Sequence, residues 1–557
     1  MKRLPYIGFA AFLFPLTIQA ATPEVEYSIS PVMEAGALRK IAVEVRLKAD
    51  PSGKTAIELP DEFGGKTEHY RLLSPIGVTG GKIAETSPAE RVIASAPKAP
   101  LVLRYMVEAA YSDEPVAKDQ NLYKGAVIRP SWFSALGNFF IVQPKGREEA
   151  AASLHWRGWP KGWIKASSED DRSTSVANLV EANYMGGSDL QSRTLPIEGG
   201  RLRLFGHGNF PWSVDSYADR LAQMLSAQRR FWGDRDGDFT VTMIAVEATP
   251  GISSSGGTSR KHGFTQYSSP DTPPDTISRT IAHEHSHNWI PNRLGTVEEG
   301  EQERSLTWLS EGFTEFYAVR TLLRANLWTP QQFADDLNHT LARWAGSPVK
   351  TAPNSRIVEA FWTDAKVQRL PYDRGNIFAH RLDYELKKAG KQGLDAVMFA
   401  MRDRWAAAPD DKKPELRENF LSVLDAQGFD ARPLLARYIE NGEAIDLPGD
   451  LFGSCASVET VSMPGYDIGF ETARTGKFSG VRPDGPAYAA GLRDGMERLA
   501  RLAGEPDDSR VEASYKVLDN GQERILSWFP RGVGTLTLPE VKLSSSIEPS
   551  CSGTMSR

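Results

Sequence analysis

Short runs in which apolar and polar residues alternate fill the chain from residue 24 to about residue 205. The clearest runs are residues 41–47, 101–107, 138–142 and 201–205. Clusters of Gly, Pro and Asp separate these runs, as is typical of strands joined by turns. The pattern predicts an N-terminal β-sandwich-like domain over residues 21–205.

Helical periodicity becomes frequent after residue 205. Ser213 can cap a helix that ends at Trp232, with Gly233 beyond it, and a strand is expected over residues 239–246. Apolar stripes and glycine stops predict four later helices, at residues 371–389, 391–406, 414–427 and 430–441. The chain is therefore expected to be multidomain α+β, with one domain over residues 206–330 and an α-helical domain over residues 331–446.

The last segment, residues 447–557, has a glycine pattern of its own. Residues 466–470 and 480–495 resemble the carboxylate-binding loop and the helix and turn of a PDZ domain. A PDZ-like domain would bind an extended peptide at a sheet edge and hold its C-terminus with backbone amides. The alternative is a structural appendage with an unused groove, because Met496 replaces the usual Asp after Gly495.

The first residues have the pattern of a secretory signal peptide over residues 1–20. Two cationic residues precede a mostly apolar run at residues 4–18, and Gln19-Ala20-Ala21 follows, with cleavage expected near Ala20. That run is too short to span a bilayer, and no later segment is apolar enough. We expect a soluble protein outside the cytoplasm, in a bacterial periplasm, without a membrane span. The alternative is a retained amphiphilic N-terminus.

The net charge and the cysteines of the chain bear on its partners and on its covalent structure. The formal net charge is −6, and it becomes −8 without the two cations of the signal peptide, so nucleic acid is not an expected partner. Cys455 and Cys551 are the two cysteines of the chain. In an oxidising compartment they could form a disulfide, but two free thiols remain an equal alternative, and the oligomeric state stays open.

Candidate chemistry lies in His283-Glu284-x-x-His287. On a helix the two imidazoles stand one turn apart and aim at one point, which suits a zinc ion with Glu284 as general base. Zinc needs a third protein ligand, and Glu311 interrupts the apolar stripe of a following helix that Ser305 could cap. Glu315, one turn later, could support a ligand or be a solvated carboxylate.

These residues resemble the gluzincin metallopeptidases, and most of all the glycyl aminopeptidase family, metallopeptidase family sixty-one. A third motif, Pro371-Tyr372-Asp373-Arg374-Gly375, is similar to the segment whose tyrosine stabilises the tetrahedral intermediate in such enzymes. The resemblance implies a thermolysin-like mixed α/β catalytic domain over residues 206–330 and one Zn²⁺ per chain. It also implies peptide or protein substrates, with Glu284 and Tyr372 as catalytic residues.

One motif departs from the family. Resembling enzymes have Gly-Gly-x-Glu before the zinc helix, and that glutamate holds the substrate amine; here Ser259 follows Gly256 and Gly257 at that position. A peptide could pair with this strand, with Gly257 leaving room for close approach. Arg260, if it points inward, would favour a carboxylate or carbonyl over an ammonium. The alternative is that residues 260–262 face solvent and another acid holds the amine.

Three functions are compatible with these patterns. The first is an aminopeptidase-like zinc peptidase. The second is a zinc peptidase that accepts blocked, internal or acidic N-terminal segments, because Ser259 replaces the glutamate. The third is a non-catalytic periplasmic peptide-binding protein that uses the PDZ-like domain, which would bind a peptide C-terminus.

Overall fold

The structure is a computed structural model. It describes residues 23–63, 66–113, 124–170, 172–210, 212–247, 254–270, 272, 274–298, 300–471, 476–545 and 551–556. The predicted signal peptide at residues 1–20 lies outside this set and stays a prediction. Within the described residues, no helix combines the length and the apolar character that crossing a membrane requires.

The strands alternate with turns over the first half and return near the C-terminus. In chain order they are β1 (Val25–Glu34), β2 (Ala37–Lys48), β3 (Lys54–Glu58), β4 (Gly77–Thr79), β5 (Lys82–Ser87), β6 (Glu90–Ala94), β7 (Pro100–Val107), β8 (Val127–Arg129), β9 (Trp132–Leu136), β10 (Gln143–Pro144), β11 (Ala151–Trp156), β12 (Ile164–Ser167), β13 (Thr174–Ser175), β14 (Asn183–Gly187), β15 (Gln191–Ile197), β16 (Gly200–His207), β17 (Phe239–Ala245), β18 (Ser255–Arg260), β19 (Gly263–Ser268), β20 (Ala456–Tyr466), β21 (Glu497–Ala503), β22 (Ala513–Asp519), β23 (Gln522–Trp528) and β24 (Arg531–Leu543).

Most helices follow β19 and precede β20 in the sequence. They are α1 (Val176–Val180), α2 (Val214–Trp232), α3 (Pro274–Ser286), α4 (Glu301–Arg324), α5 (Pro330–Gly346), α6 (Asn354–Ala360), α7 (Ala365–Lys388), α8 (Leu394–Ala407), α9 (Leu416–Ala426), α10 (Arg432–Leu434), α11 (Pro486–Ala489) and α12 (Cys551–Met555). Short 3-10 helices occupy His69–Leu72, Gly137–Phe139 and Asp410–Lys412, and a π-helix occupies Leu435–Glu440.

The described residues form two compact units. The first combines the described part of Met1–Glu108 with Gly137–Pro160 and Glu169–Glu181. The second combines Ala109–Leu136 and Lys161–Ser168 with the described residues from Ala182 onward. The chain passes between the units several times, and the predicted domain boundaries stay predictions.

The first unit contains two sheets, ordered β13-β11-β1-β2-β7-β4 and β10-β3-β6-β5. The strand predicted over residues 138–142 is wrong, because that segment forms a 3-10 turn and an irregular stretch instead. Its carbonyl groups do not pair with a strand: Tyr105 donates its hydroxyl to Phe140 O at 2.8 Å, and Tyr27 donates to Val142 O at 2.9 Å.

The second unit contains the mixed sheet that supports the candidate site, ordered β15-β16-β17-β19-β18. Strands β16, β17 and β19 run parallel, and β18 pairs antiparallel with β19 at the edge. Helix α2 is capped as predicted, because the Ser213 side chain accepts from Ser216 N and Gly233 adopts a left-handed conformation at its end. The apolar side chains of α2, α3 and α4 share one core with this sheet.

Two helix starts differ from the prediction. Helix α4 begins at Glu301, so Ser305 lies inside it and donates to Gln302 O instead of capping. Helix α7 begins at Ala365, because the Asp364 carboxylate accepts from the first backbone amides of the helix, and Pro371 lies within the helix instead of opening it. Of the three helices predicted after residue 390, the first two are confirmed as α8 and α9, with ends that differ by one to three residues. The third, over residues 430–441, forms α10 followed by the π-helix.

The C-terminal segment forms the β20-β24 ribbon, the sheet β21-β22-β23 and the four-residue helix α11. Strand β24 is attached to α5, since Asn338 bonds both the amide (2.7 Å) and the carbonyl (2.9 Å) of Val541. Cys455 and Cys551 form a disulfide, which decides between the two alternatives. The tail then reaches α4, where Arg320 Nε donates to Ser556 O at 3.0 Å.

Candidate active site and metal centre

Helix α3 presents the two histidines of the HExxH motif. His283 and His287 are separated by one turn, and their ring centroids are 5.0 Å apart. The opposite face of the helix is anchored in the core by Ile277, Ile281 and Ala282, all fully buried. The helix is therefore fixed in rotation, with both imidazoles on one side.

Helix α4 brings Glu311 to these imidazoles. Glu311 Oε2 lies 3.2 Å from His283 Nε2 and 3.5 Å from His287 Nε2. One donor atom from each residue lies within 4.8 Å of the others. Zinc bonds of about 2.0–2.2 Å in tetrahedral geometry place ligand atoms about 3.3–3.6 Å apart, so this donor set fits a zinc ion.

The outer nitrogen of His287 is held by the backbone. His287 Nδ1 lies 2.8 Å from Ile290 O, and because a carbonyl only accepts, Nδ1 carries the proton and Nε2 is left for a metal. Burial lowers the pKa of His287, but the Glu311 carboxylate outweighs burial and raises that pKa to about 9. Without a metal, the site therefore holds a proton on this imidazole at neutral pH.

Glu315 is buried behind His283. Its Oε1 lies 3.9 Å from His283 Nδ1, and its carboxylate accepts from Arg279 (2.7 Å) and from Arg369 (3.3 Å). Burial would raise the pKa of Glu315, but the Arg279 guanidinium outweighs it and lowers the pKa to about 2. The sequence allowed Glu315 to support a ligand or to be a solvated carboxylate. The second interpretation is wrong, because only 3% of Glu315 is exposed.

Arg279 and Arg369 were missed by sequence reasoning. Arg279 also binds Asp336 at 2.7 Å, and Arg369 also binds Asp373 at 3.0 Å. Each of the two arginines that bind Glu315 is therefore paired with a second carboxylate as well. Helical spacing could have indicated both arginines. Arg279 lies four residues before His283, and Arg369 lies three residues before Tyr372.

Two glycines allow α4 and α7 to meet at the site. A Cβ atom on Gly312 would lie 2.4 Å from Gly375 Cα, and one on Gly375 would lie 2.1 Å from Trp308 O. The helix backbones are therefore in direct contact next to Glu311. This contact explains the glycine of the Pro-Tyr-x-Arg-Gly motif and brings Tyr372 toward the metal ligands.

Tyr372 is placed beside the imidazoles. Its ring centroid lies 6.4 Å from that of His283, with the rings nearly parallel, and the Arg369 guanidinium carbon lies 5.2 Å from the phenol ring centroid. Burial and the Glu311 carboxylate raise the pKa of Tyr372. The phenol therefore keeps its proton at neutral pH and can donate a hydrogen bond. Glu284 is half-buried near His287, and its negative charge contributes to the raised pKa of that imidazole.

The predicted substrate strand is the edge strand β18. Its outer side has no partner strand among the described residues, which suits pairing with an extended peptide. Ser259 does not point away from the protein, because its hydroxyl donates to Glu284 O at 2.9 Å. Gly257 is required by the sheet itself, since a Cβ there would lie 2.3 Å from the Phe264 ring.

The expectation for Arg260 needs correction. Side chains alternate along a strand, so Arg260 lies on the face opposite Ser259 and the zinc helix. It is also only 8% exposed, so it neither faces solvent nor adds its charge beside the zinc ligands. Gly256 lies on that same face, against the Tyr267 ring.

The predicted carboxylate-binding loop of the C-terminal segment contains its own acid. Gly469 N donates to Asp467 Oδ1 at 2.8 Å, and Arg482 pairs with the same carboxylate. One amide that the PDZ prediction needs is therefore already bonded. Binding of a peptide C-terminus in this loop stays a prediction.

The sequence around these ligands matches a known protein family. Residues 276–370 match the M61 glycyl aminopeptidase family, and this range contains His283, Glu284, His287 and Glu311. The chain is a zinc metallopeptidase. The matched range ends one residue before Pro371, so the tyrosine motif of the metallopeptidase lies just outside it.

Solved structures resemble the metallopeptidase to different degrees. The aminopeptidase N family protein of Idiomarina loihiensis has a TM-score of 0.68 at 15% identity, covering 95% of this chain and 99% of that one. The M1 zinc metallopeptidase of Deinococcus radiodurans has a TM-score of 0.47 at 16% identity, covering 76% and 94%. The first likeness shows a shared multidomain α+β fold. No curated protein sequence matches the chain.

Proposed function

We propose that this metallopeptidase hydrolyses peptide bonds in an aminopeptidase-like reaction, with one zinc ion per chain held by His283, His287 and Glu311. The observation that carries the proposal is the spacing of the three donor atoms, with Glu311 Oε2 at 3.2 and 3.5 Å from the two imidazole nitrogens. Zinc bound there would act as a Lewis acid toward water and the peptide carbonyl.

The other steps belong to side chains of the site. Glu284 accepts the proton of the attacking water and returns it to the leaving amine. Tyr372 donates its phenol proton in a hydrogen bond to the oxyanion that develops on the carbonyl. The raised pKa of Tyr372 supports this role, because an ionised phenol could not donate. The edge of β18 pairs with the substrate backbone.

A second candidate concerns what the site accepts at the substrate N-terminus. Ser259 stands where the resembling enzymes have an amine-binding glutamate, and its hydroxyl donates to Glu284 O. A neutral group used in this way gives an ammonium little stabilisation. The observation favours acceptance of blocked, internal or acidic N-terminal segments over strict dependence on a free amine.

N-acetylation separates the two candidates. We expect acetylation of a good peptide substrate to change kcat/KM by less than about tenfold, or roughly 1.4 kcal/mol, because no anionic group is held at position 259. Activity on both peptides should disappear with a zinc chelator. A loss of about a thousandfold on acetylation alone would restore the strict aminopeptidase candidate.

We also propose that residues 1–20 direct export to the periplasm. The disulfide between Cys455 and Cys551 supports this location, because such bonds persist in oxidising compartments. The expected partners are peptides or proteins that enter that compartment.

A further inference from the structure

A cavity of about 560 Å³ lies between helices α5 and α7 and the C-terminal ribbon. We call it the α5–α7 cavity. Helix α5 contributes Arg343, helix α7 contributes Lys366 and Arg369, and the C-terminal segment contributes Tyr466 and Asp507. Its volume lies within the range of about 300–1,000 Å³ that is usual for small-molecule sites.

The cavity shares a wall with the candidate active site. Ala365, Arg369 and Tyr372 are spaced four and three residues apart, so they follow one another along one face of α7. Arg369 lines the cavity, lies against the Tyr372 ring and donates to Glu315 behind His283. A ligand in the cavity would therefore lie next to the tyrosine proposed to contact the reacting carbonyl.

The cavity wall carries two paired arginines and one lysine without an ion-pair partner among the described residues. Arg343 and Arg369 both pair with Asp373, so one carboxylate is shared by two guanidinium groups. The Lys366 ammonium forms no ion pair within the described part of the chain, and its side chain is exposed. Asp507 is the remaining acid. Because Arg369 also donates to Glu315, the cation of this wall without an ion-pair partner in the described part of the chain is Lys366, and its charge favours an anionic ligand beside it.

The cavity also has an apolar part. Trp344 and Leu370 are buried in its wall, and Leu536 of β24 is half-buried beside them. An anionic group and an apolar side chain could therefore be bound together. A peptide that ends in a free carboxylate combines these two features, whereas inorganic phosphate has only the charge.

We propose that the α5–α7 cavity binds the C-terminal end of a short peptide substrate, with the free carboxylate held by Lys366 and Arg369. This inference rests on the proposed function, because it assumes that the peptide extends from the zinc site. It gives the C-terminal segment a share in the cavity wall through Tyr466, while the negative charge of Asp507 opposes the bound carboxylate. Short peptides with a free C-terminus are then preferred over amidated ones.

Binding to the zinc-loaded Glu284→Gln protein tests the inference without turnover. The probes are trialanine and trialanine amide, measured by titration calorimetry. We expect trialanine to bind roughly tenfold more tightly, since tenfold corresponds to about 1.4 kcal/mol for an added charge-assisted contact. Lys366→Gln should reduce this difference in affinity between the two peptides to about twofold or less. Lys388→Gln, a matched change at the other end of α7, should leave it unchanged.

Asp507→Asn provides a test of opposite sign. Removing this acid should increase the affinity for trialanine relative to trialanine amide. Asparagine tolerates the positive φ of 65° at this position. Equal affinities for the two peptides, binding of neither, or an unchanged difference in affinity in Lys366→Gln would overturn the inference. If the wild-type protein cleaves peptides with no preference for a free carboxylate, the proposed function stands and the cavity assignment fails. If binding depends on the carboxylate but no zinc-dependent cleavage occurs, the cavity assignment stands and the proposed function fails.

Discussion

At the scale of single residues, the candidate site is held together by paired charges. Glu311 lies between two imidazoles, and Glu315 lies between Arg279 and Arg369. Glu315 is buried and Glu311 is half-buried, and each keeps its charge because cations surround it. The zinc ligands are therefore placed by electrostatic partners before a metal binds.

Zinc affinity should depend on pH through His287. Its pKa of about 9 in the metal-free protein means that zinc must displace a proton at neutral pH. The apparent affinity should rise about tenfold per pH unit from pH 7 to 9 and level off above, since each released proton gives a factor of ten per unit. Competition with a chromophoric chelator at each pH measures this. An affinity that does not change over that range would contradict the raised pKa.

Tyr372→Phe should lower kcat by roughly a hundredfold with KM nearly unchanged, because the phenol acts mainly on the developing oxyanion. Zinc content should stay at the wild-type value. Steady-state kinetics on one peptide checks this, with Tyr384→Phe as the matched control, since Tyr384 is on the same helix and bonds only Asp450 among the hydrogen bonds described for its hydroxyl. An unchanged kcat in Tyr372→Phe would mean that the tyrosine merely packs.

At the scale of elements, the contact between α4 and α7 places the residues of the two motifs side by side. Gly312 follows the ligand Glu311 directly, and Gly375 lies three residues after Tyr372. The helices approach so closely at these glycines that backbone meets backbone. Any side chain there would separate Tyr372 from the metal ligands.

Gly375→Ala should therefore destabilise the protein by about 1–3 kcal/mol, as overpacked cores do, and should lower turnover as well. The added Cβ would lie 2.1 Å from Trp308 O, which belongs to a helix backbone and cannot move alone. Urea unfolding of the zinc-saturated protein measures the effect. Gly346→Ala is the control, because its Cβ would meet nothing nearer than 3.7 Å. Equal stabilities of the two variants would refute the close contact.

The sequence could predict the zinc ligands because their spacing is local to two helices. It could not predict which face of β18 Arg260 occupies, since the face depends on the neighbouring strand and on the helix above Ser259. The start of α7 was misplaced for a similar reason. Pro371 is typical of a first turn, whereas here the Asp364 cap starts the helix and Pro371 falls inside it.

At the scale of the whole molecule, the second unit combines the catalytic helices with the C-terminal segment. The disulfide from Cys455 holds the tail so that Ser556 accepts from Arg320 on α4. Arg320 is only 1% exposed, so this partner removes part of the cost of a buried cation. The helix that carries Glu311 is thus tied to the end of the chain.

The most direct test of the zinc assignment is the zinc content of purified, dialysed variants, measured together with peptide turnover. Wild-type and Glu284→Gln proteins should both contain one zinc per chain, while turnover in Glu284→Gln falls by about 10²–10⁴-fold, as expected for a lost general base. Glu311→Ala should lose the metal, and the exposed change Glu301→Ala on the same helix should keep it. Full zinc occupancy in Glu311→Ala, or normal turnover in Glu284→Gln, would contradict the account.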